Sequence, residues 1–215
     1  MASGRGAVST QLLYSLADGS SIYRMNVKLA AGTLRRCARL LHWHARHAVV
    51  PYEVAGAATV NIQITTAGAP PSAPFPVKLI SETPAIFTAD GSGTGQAAAL
   101  NGDYSYNSKT HPAPKGGFVV LFLTGEGLTT AAVTGRITTV STTGPLTPLP
   151  VASPLTVAVG GQQATLAFYG EAPGLIAGVL QVNAQLPVNI PSGTLPVSVS
   201  LAGVSTQSGV TIAVQ

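Results

Sequence analysis

The sequence is poor in charge and in cysteine. Charged residues make up 8% of the 215 residues, against about 25% in an ordinary soluble domain. Cys37 is the single cysteine, so no disulfide can form within the chain. No apolar run reaches the length of about 18 residues that a membrane-spanning helix requires. No apolar stretch near the amino terminus predicts a signal peptide in this chain.

The few charges are unevenly distributed. Residues 1–50 hold seven of the eleven Lys and Arg residues and one of the seven acidic residues, a net charge of +6. Residues 51–215 carry the remainder, a net charge of −2. A mildly acidic polypeptide lacks the basic surface that binds phosphate groups, which excludes nucleic acid as a partner of this larger part.

Residues 1–49 also lack proline, whereas the rest of the chain holds all 16. Apolar residues recur at helical spacing over residues 33–47, which favours a helix there. We therefore expect an atypical basic segment at residues 1–49, either helical or disordered. Its three histidines, His42, His44 and His47, are residue types that zinc binds together with Cys37, and an incidental cluster is the alternative.

Glycine and proline are abundant in the rest of the chain, where they separate short apolar runs. Phe118 to Leu123 is an unbroken apolar run between glycine pairs, which predicts a central strand buried on both faces. Apolar and polar residues then alternate in five short segments, which is typical of an all-β sandwich. These segments are residues 155–159, 164–168, 179–185, 197–201 and 210–214.

Residues 50–79 repeat the succession of motifs found at residues 186–214, but without the strands that precede the second copy. Prolines at positions 74 and 76 predict an edge strand within the first copy. We expect a truncated first β repeat at 50–88, a Gly/Pro-rich connector at 89–114 and a complete immunoglobulin-like β-sandwich at 115–215. The incomplete copy has an open sheet edge, which predicts self-association.

Several motifs together resemble a known family. They are Gly117 to Gly127, Val157-Ala-Val-Gly-Gly161, Ala172-Pro-Gly174 and Gln181-Val-Asn-Ala-Gln-Leu-Pro187. Over residues 50–215 the pattern resembles the Solibacter-type C-terminal domain of unknown function in secreted acidobacterial proteins, which is similar to immunoglobulin-like IPT/TIG modules. The resemblance implies tandem immunoglobulin-like domains, an extracellular or cell-envelope location and an accessory role, with no assigned activity. Residues 1–49 depart from this pattern, and our hypothesis is a frame change or cloning junction near residue 49.

A group of polar turn residues is the candidate metal site. Its members are Asp90, Asn101, Asp103 and Asn107. Their oxygens are ligands that Ca²⁺ prefers, although Asp and Asn in turns also hydrogen-bond their own backbone. A bound cation would polarise an ester or lactone carbonyl, with His111 or Glu126 as the base.

Two other catalytic arrangements are compatible with the residue types. His111 with Asp103 and either Ser92 or Ser108 would form a Ser–His–Asp set. Glu126 and Glu171 stand at predicted strand ends, where they would suit glycosidase chemistry if paired and would be solvated loop charges otherwise.

Four tyrosines are candidates for a platform on which sugar rings stack, with core packing as the alternative. They are Tyr52, Tyr104, Tyr106 and Tyr169. The sequence thus predicts a non-catalytic accessory or binding module of a secreted bacterial protein, with a carbohydrate or a protein as its partner. The alternative is a small calcium- or other metal-dependent hydrolase acting on ester or lactone substrates.

Overall fold

In the residues that the computed structural model describes, strands predominate, at 48%, and helix is almost absent, which confirms the predicted all-β class. The structure describes residues 23–28, 34–36, 39–42, 45–66, 70, 72–129, 133–139 and 154–215. For the strands before residue 49 and for residues 64–66 it describes the backbone alone. Across these ranges the helical content is a 3-10 turn at Tyr52–Val54, and no helix there is long and apolar enough to cross a membrane.

The strands are numbered in chain order. They are β1 (Tyr23–Lys28), β2 (Leu34–Arg36), β3 (Arg39–His42), β4 (Ala45–Ala48), β5 (Thr59–Thr66), β6 (Phe75–Lys78), β7 (Ala85–Ile86), β8 (Gly95–Gln96), β9 (Ala99–Asn101), β10 (Phe118–Thr124), β11 (Leu155–Val159), β12 (Gln162–Glu171), β13 (Leu180–Gln185), β14 (Gly193–Leu201), β15 (Val204–Ser205) and β16 (Val210–Val214).

The smaller sheet has the strand order β2-β1-β5-β6, and β3 pairs with β4 as a separate hairpin. β6 lies at the edge of this sheet, as its prolines predict, because proline has no N–H for a second neighbour. The expected helix at residues 33–47 is wrong for the described part of that segment, where β2, β3 and β4 lie. The first repeat also gains two strands, since β1 and β2 come from before residue 49.

The larger sheet contains β10, the predicted central strand, but β10 lies second from one end of the strand order rather than at its centre. Its strand order is β7-β10-β13-β12-β11-β14-β16-β8, with β9 on β10 and β15 on β14. Phe118 to Leu123 pair residue by residue with Gln185 to Leu180 of β13. The opposite edge of β10 pairs with β9 and β7. All pairs in this sheet are antiparallel except β16 with β8.

The predicted connector is part of this larger sheet. β7 and β8 lie at its two ends, and a bridge between Thr88 and Ala97 joins those ends. Two backbone hydrogen bonds flank the bridge, from Ala89 N to Gln96 O at 2.8 Å and from Ala98 N to Phe87 O at 2.7 Å. The Gly-rich loop at residues 90–95 is therefore the turn of a hairpin that curls the sheet onto itself. The boundaries expected at residues 88 and 114 do not separate structural units.

The inward face of β10 carries the core. Val119, Leu121 and Leu123 are fully buried with their β13 neighbours Ala184, Val182 and Leu180. The other face of β10 is covered at Val120, which is 7% exposed, and open at the start of the strand, where Phe118 is 41% exposed. The prediction of a strand buried on both faces therefore holds in the middle of β10 and is wrong at Phe118.

A second, smaller core lies between β5, β6 and the 3-10 turn that precedes them. It consists of Val50, Val54, Val60 and Leu79, with Ala57 and Val77 packed against it. The chain then continues through residues 81–84 to the larger sheet, where Thr83 N donates to Gly125 O at 3.0 Å. Gly125 has φ +82, and a Cβ placed there would overlap the Thr83 carbonyl oxygen. Close approach of these two backbone segments therefore requires glycine at position 125.

We predict that Gly125→Ala destabilises the larger sheet by about 1–3 kcal/mol more than Gly161→Ala, because an extra methyl group in a packed site forces the backbone apart. Gly161 is the matched control, since it has a similar φ of +78 and open space around its Cβ position. Its substitution costs only the left-handed conformation, about 1–2 kcal/mol. Urea unfolding of both variants checks this, and equal losses would show that residues 81–84 do not pack on Gly125.

Candidate functional site

Two members of the predicted calcium site are buried and bonded to one another. Asn107 Nδ2 donates to Asn101 Oδ1 at 2.8 Å and to Ala213 O at 2.9 Å. Asn107 Oδ1 accepts from Ala213 N at 2.8 Å and from Gln96 Nε2 at 3.0 Å. Asn101 Nδ2 donates to Ser105 Oγ and to His111 O. These amides tie the turn at residues 101–107 to β16, and their oxygens already accept hydrogen bonds.

The other two members are exposed and engaged in their own turns. Asp90 Oδ1 accepts from Ser92 N at 3.0 Å, and Asp103 Oδ1 accepts from Ser105 N at 3.0 Å and Ser105 Oγ at 2.7 Å. These hydrogen bonds hold the pKa of each carboxyl below its usual range. Over the part of the chain that the structure describes, no three His, Cys, Asp or Glu side chains converge to hold a metal ion.

His111 is exposed. Its backbone N–H donates to Ser108 O and Ser108 Oγ, each at 3.1 Å, while its ring Nδ1 lies 3.2 Å from Thr110 Oγ1. Ser92 hydrogen-bonds within its own loop, to Thr94 O at 2.9 Å. The hydrogen bonds of His111, Ser92 and Asp103 are therefore those of local turns, and the hydrogen-bonded chain that a Ser–His–Asp set requires is not formed by them.

Glu126 is the candidate residue with the most unusual surroundings. It lies two residues after β10 and is 2% exposed. Its Oε1 accepts from Tyr52 OH at 3.0 Å and from Gly178 N at 3.1 Å, whereas its buried Oε2 has no hydrogen-bond partner. The expectation of a solvated loop charge is wrong for this residue.

Glu171 is likewise fully buried, at the end of β12. Its Oε1 accepts from Thr129 Oγ1 at 2.6 Å. Its Oε2 accepts from Thr138 Oγ1 at 3.2 Å and pairs with Arg136 Nη2. Glu171 thus holds three residues of the loops that follow β10, and it is not a solvated loop charge either.

The two buried glutamates lie where residues 49–56 meet the larger sheet. Tyr52 packs against Ala177 in a small apolar cluster, and Tyr52 N donates to Thr134 Oγ1 at 2.9 Å. Thr134 Oγ1 in turn donates to Glu53 Oε2 at 2.6 Å. We call Tyr52, Glu126, Thr129, Arg136 and Glu171 the glutamate cluster. It joins the segment at 49–56 to the loops after β10 and β12.

The charges in the glutamate cluster do not balance when both acids are ionised. Arg136 pairs with Glu171, while Glu126 has only neutral donors. Burial, reinforced by the charge of Glu171, raises the pKa of Glu126 to about 7. Burial and the nearby Glu126 carboxylate also raise the pKa of Tyr52, so the phenol stays a hydrogen-bond donor. The geometry suits a structural joint: both carboxyl groups are closed to a substrate.

The structure separates the four candidate tyrosines. Tyr52 is buried in the glutamate cluster, and Tyr169 packs against the main core. Tyr104 and Tyr106 are 78% and 80% exposed. The latter two are the candidates most open to a ligand that approaches from solvent.

The side chains of Cys37, His42, His44 and His47 lie outside the described residues. The partnership of Tyr52 with Glu126 and of Arg136 with Glu171 had no signal in the sequence, because each pair is separated by a long stretch of chain. No protein-family profile matches the chain, and a search of curated proteins finds no match.

We predict that Glu126→Gln removes most of the pH dependence of stability between pH 4.5 and 8. The folded pKa of about 7 exceeds the ordinary value of 4.5, so the folded state holds a proton that the unfolded state loses as pH rises through this interval. The wild-type protein should therefore lose about 3 kcal/mol of stability from pH 4.5 to pH 8 through this residue. An amide at position 126 cannot ionise, so the free energy of unfolding of the variant should stay nearly level.

Urea unfolding at the two pH values measures this difference. Asp103→Asn is the control, because the exposed Asp103 carboxyl is ionised in both states over most of this range. A wild-type slope that Glu126→Gln leaves unchanged would contradict the assignment.

Proposed function

We propose that this chain is a non-catalytic immunoglobulin-like module of a secreted bacterial protein, acting as an accessory or binding domain. The resemblance to the Solibacter-type C-terminal domain over residues 50–215 supports this proposal, together with the all-β fold. In this proposal the smaller sheet, with its own core, corresponds to the first tandem copy and the larger sheet to the second. An extracellular or cell-envelope location follows from the same resemblance.

One observation supports the non-catalytic function most directly: four of the candidate catalytic and ligand residues are buried and already used by the fold. The Asn101 and Asn107 amides bond to one another and to β16. Glu126 and Glu171 are closed off from solvent. A general base must come within hydrogen-bond reach of the proton that it removes, and these carboxyl groups have no path to a bound ester or lactone in this conformation.

The metal-dependent hydrolase is the competing proposal. The purified protein should show no turnover above the blank on a panel of chromogenic esters and lactones, either after EDTA treatment or with added Ca²⁺. The reason is that no three His, Cys, Asp or Glu side chains of the described residues converge to hold a metal ion, and that the candidate base Glu126 is closed off from solvent. Initial rates measured by absorbance over pH 5–9 test this expectation.

Turnover that EDTA abolishes, that Ca²⁺ restores and that Asp103→Asn removes would establish the hydrolase and overturn the non-catalytic module. Lys109→Gln serves as the control substitution, since it changes a nearby exposed charge without removing an oxygen ligand of the predicted calcium site.

A further inference from the structure

The outer face of the larger sheet carries a row of uncharged side chains, in which the exposed rings lie at the rim. Strand register places Tyr106 opposite Leu100, Leu100 opposite Val120, and Val120 opposite Asn183. Residues directly opposite one another in antiparallel strands point to the same face. The row therefore crosses the turn after β9, then β9, β10 and β13.

A second row lies beside it. Phe118 precedes Val120 by two residues, so it shares the same face of β10, and its register partner is Gln185 of β13. We call Leu100, Tyr106, Phe118, Val120, Asn183 and Gln185 the aromatic face. None of these side chains is charged at neutral pH. Val120 is buried within the face, whereas the rings of Phe118 and Tyr106 are 41% and 80% exposed beside the amides.

The aromatic face continues onto a turn whose conformation is fixed. Tyr104 has φ +67, one of two positive values among the described residues other than glycine, and a bulky residue adopts this conformation only when its surroundings enforce it. Asn101 O accepts from Tyr104 N at 2.9 Å. The side-chain hydrogen bond from Asn107 Nδ2 to Asn101 Oδ1 holds the base of the turn. The buried amides thus present two exposed tyrosine rings on a rigid support.

We propose that the aromatic face, with Tyr104, binds a neutral polysaccharide. A pyranose ring offers apolar C–H groups on its faces and hydroxyl groups at its rim. Exposed aromatic rings suit the former and side-chain amides suit the latter. This assignment rests on the proposed function as a binding module and names its ligand class.

The chemistry of the aromatic face favours this ligand over others. An anionic polymer would require cationic side chains, and the face has none. Asn183 Oδ1 and Gln185 Nε2 each have one partner within the chain, which leaves further hydrogen-bonding capacity on both amides. A lipid surface would bury that capacity unused, which is costly. A hydroxyl-rich neutral chain satisfies both the rings and the amides, and rigid presentation lowers the entropy lost on binding.

Isothermal titration calorimetry of the full chain in a buffer of about 0.15 M salt tests the proposal. The probes are soluble mixed-linkage β-glucan, galactomannan and arabinoxylan, with polygalacturonate as the anionic control. We expect at least one neutral polymer to bind and polygalacturonate not to bind. Tyr104→Gly/Tyr106→Ala should weaken that binding about tenfold or more, as expected for truncation of aromatic anchors.

The glycine at position 104 in the test variant also relieves the positive φ, so loss of binding cannot come from added backbone strain. Two further variants serve as controls. Phe75→Ala removes an exposed ring from β6 of the smaller sheet and should leave binding unchanged, while Tyr106→Phe should retain it because the ring remains.

Binding that survives in the double tyrosine variant would overturn the proposal, as would binding of polygalacturonate alone. Absence of binding to all three neutral polymers would also overturn it, and would leave the non-catalytic module itself standing if no ester or lactone is turned over. Sedimentation velocity tests one more outcome that would overturn the proposal. If the wild-type protein is a dimer without bound polysaccharide and the double tyrosine variant is a monomer, the aromatic face pairs two copies of the chain.

Discussion

The ion pair between Arg136 and Glu171, with the neighbouring Tyr52–Glu126 hydrogen bond, is the constraint on which the arrangement of the loops depends. Taking a carboxylate out of water is costly unless it is paired and hydrogen-bonded. Glu171 meets that requirement through Arg136, Thr129 and Thr138. Glu126 meets it only in part, since one of its oxygens has no partner. The loops after β10 and β12 must therefore close around both acids, and the segment at 49–56 completes the enclosure.

The rest of the larger sheet can then act as a rigid support for the aromatic face. The inward face of β10 is fully packed, and the hairpin at residues 87–98 joins the two ends of the sheet. The turn at residues 101–107 is fastened to β16 by Asn107. A face built on paired strands and a fastened turn keeps its side chains in place without a ligand, which is the property that a binding surface needs.

Local pattern was sufficient to predict the long strands of the larger sheet, but not β1 to β4, where a helical or disordered segment was expected. The alternation at 155–159, 197–201 and 210–214 matches β11, β14 and β16, and the apolar run at Phe118 to Leu123 matches β10. Local pattern could not show that residues 85–101 pair with both ends of the larger sheet, because that pairing joins distant parts of the chain. It also could not show burial of Glu126 and Glu171, since a glutamate beside glycine in sequence is typical of a solvated turn. The exposed Tyr104 and Tyr106 were among the predicted candidates, whereas the amides of the aromatic face on β13 were not.

If the glutamate cluster is a structural joint rather than a catalytic centre, Tyr52 and Glu126 must stabilise the fold together. A double-mutant cycle at pH 8 between Tyr52→Phe and Glu126→Gln tests this directly. Urea unfolding of the wild-type protein, both single variants and the double variant gives the coupling free energy. A buried hydrogen bond to a charged carboxylate predicts a coupling of about 1–3 kcal/mol. Additivity within about 0.5 kcal/mol would show that the two side chains do not hold residues 49–56 to the larger sheet, and would contradict the structural joint.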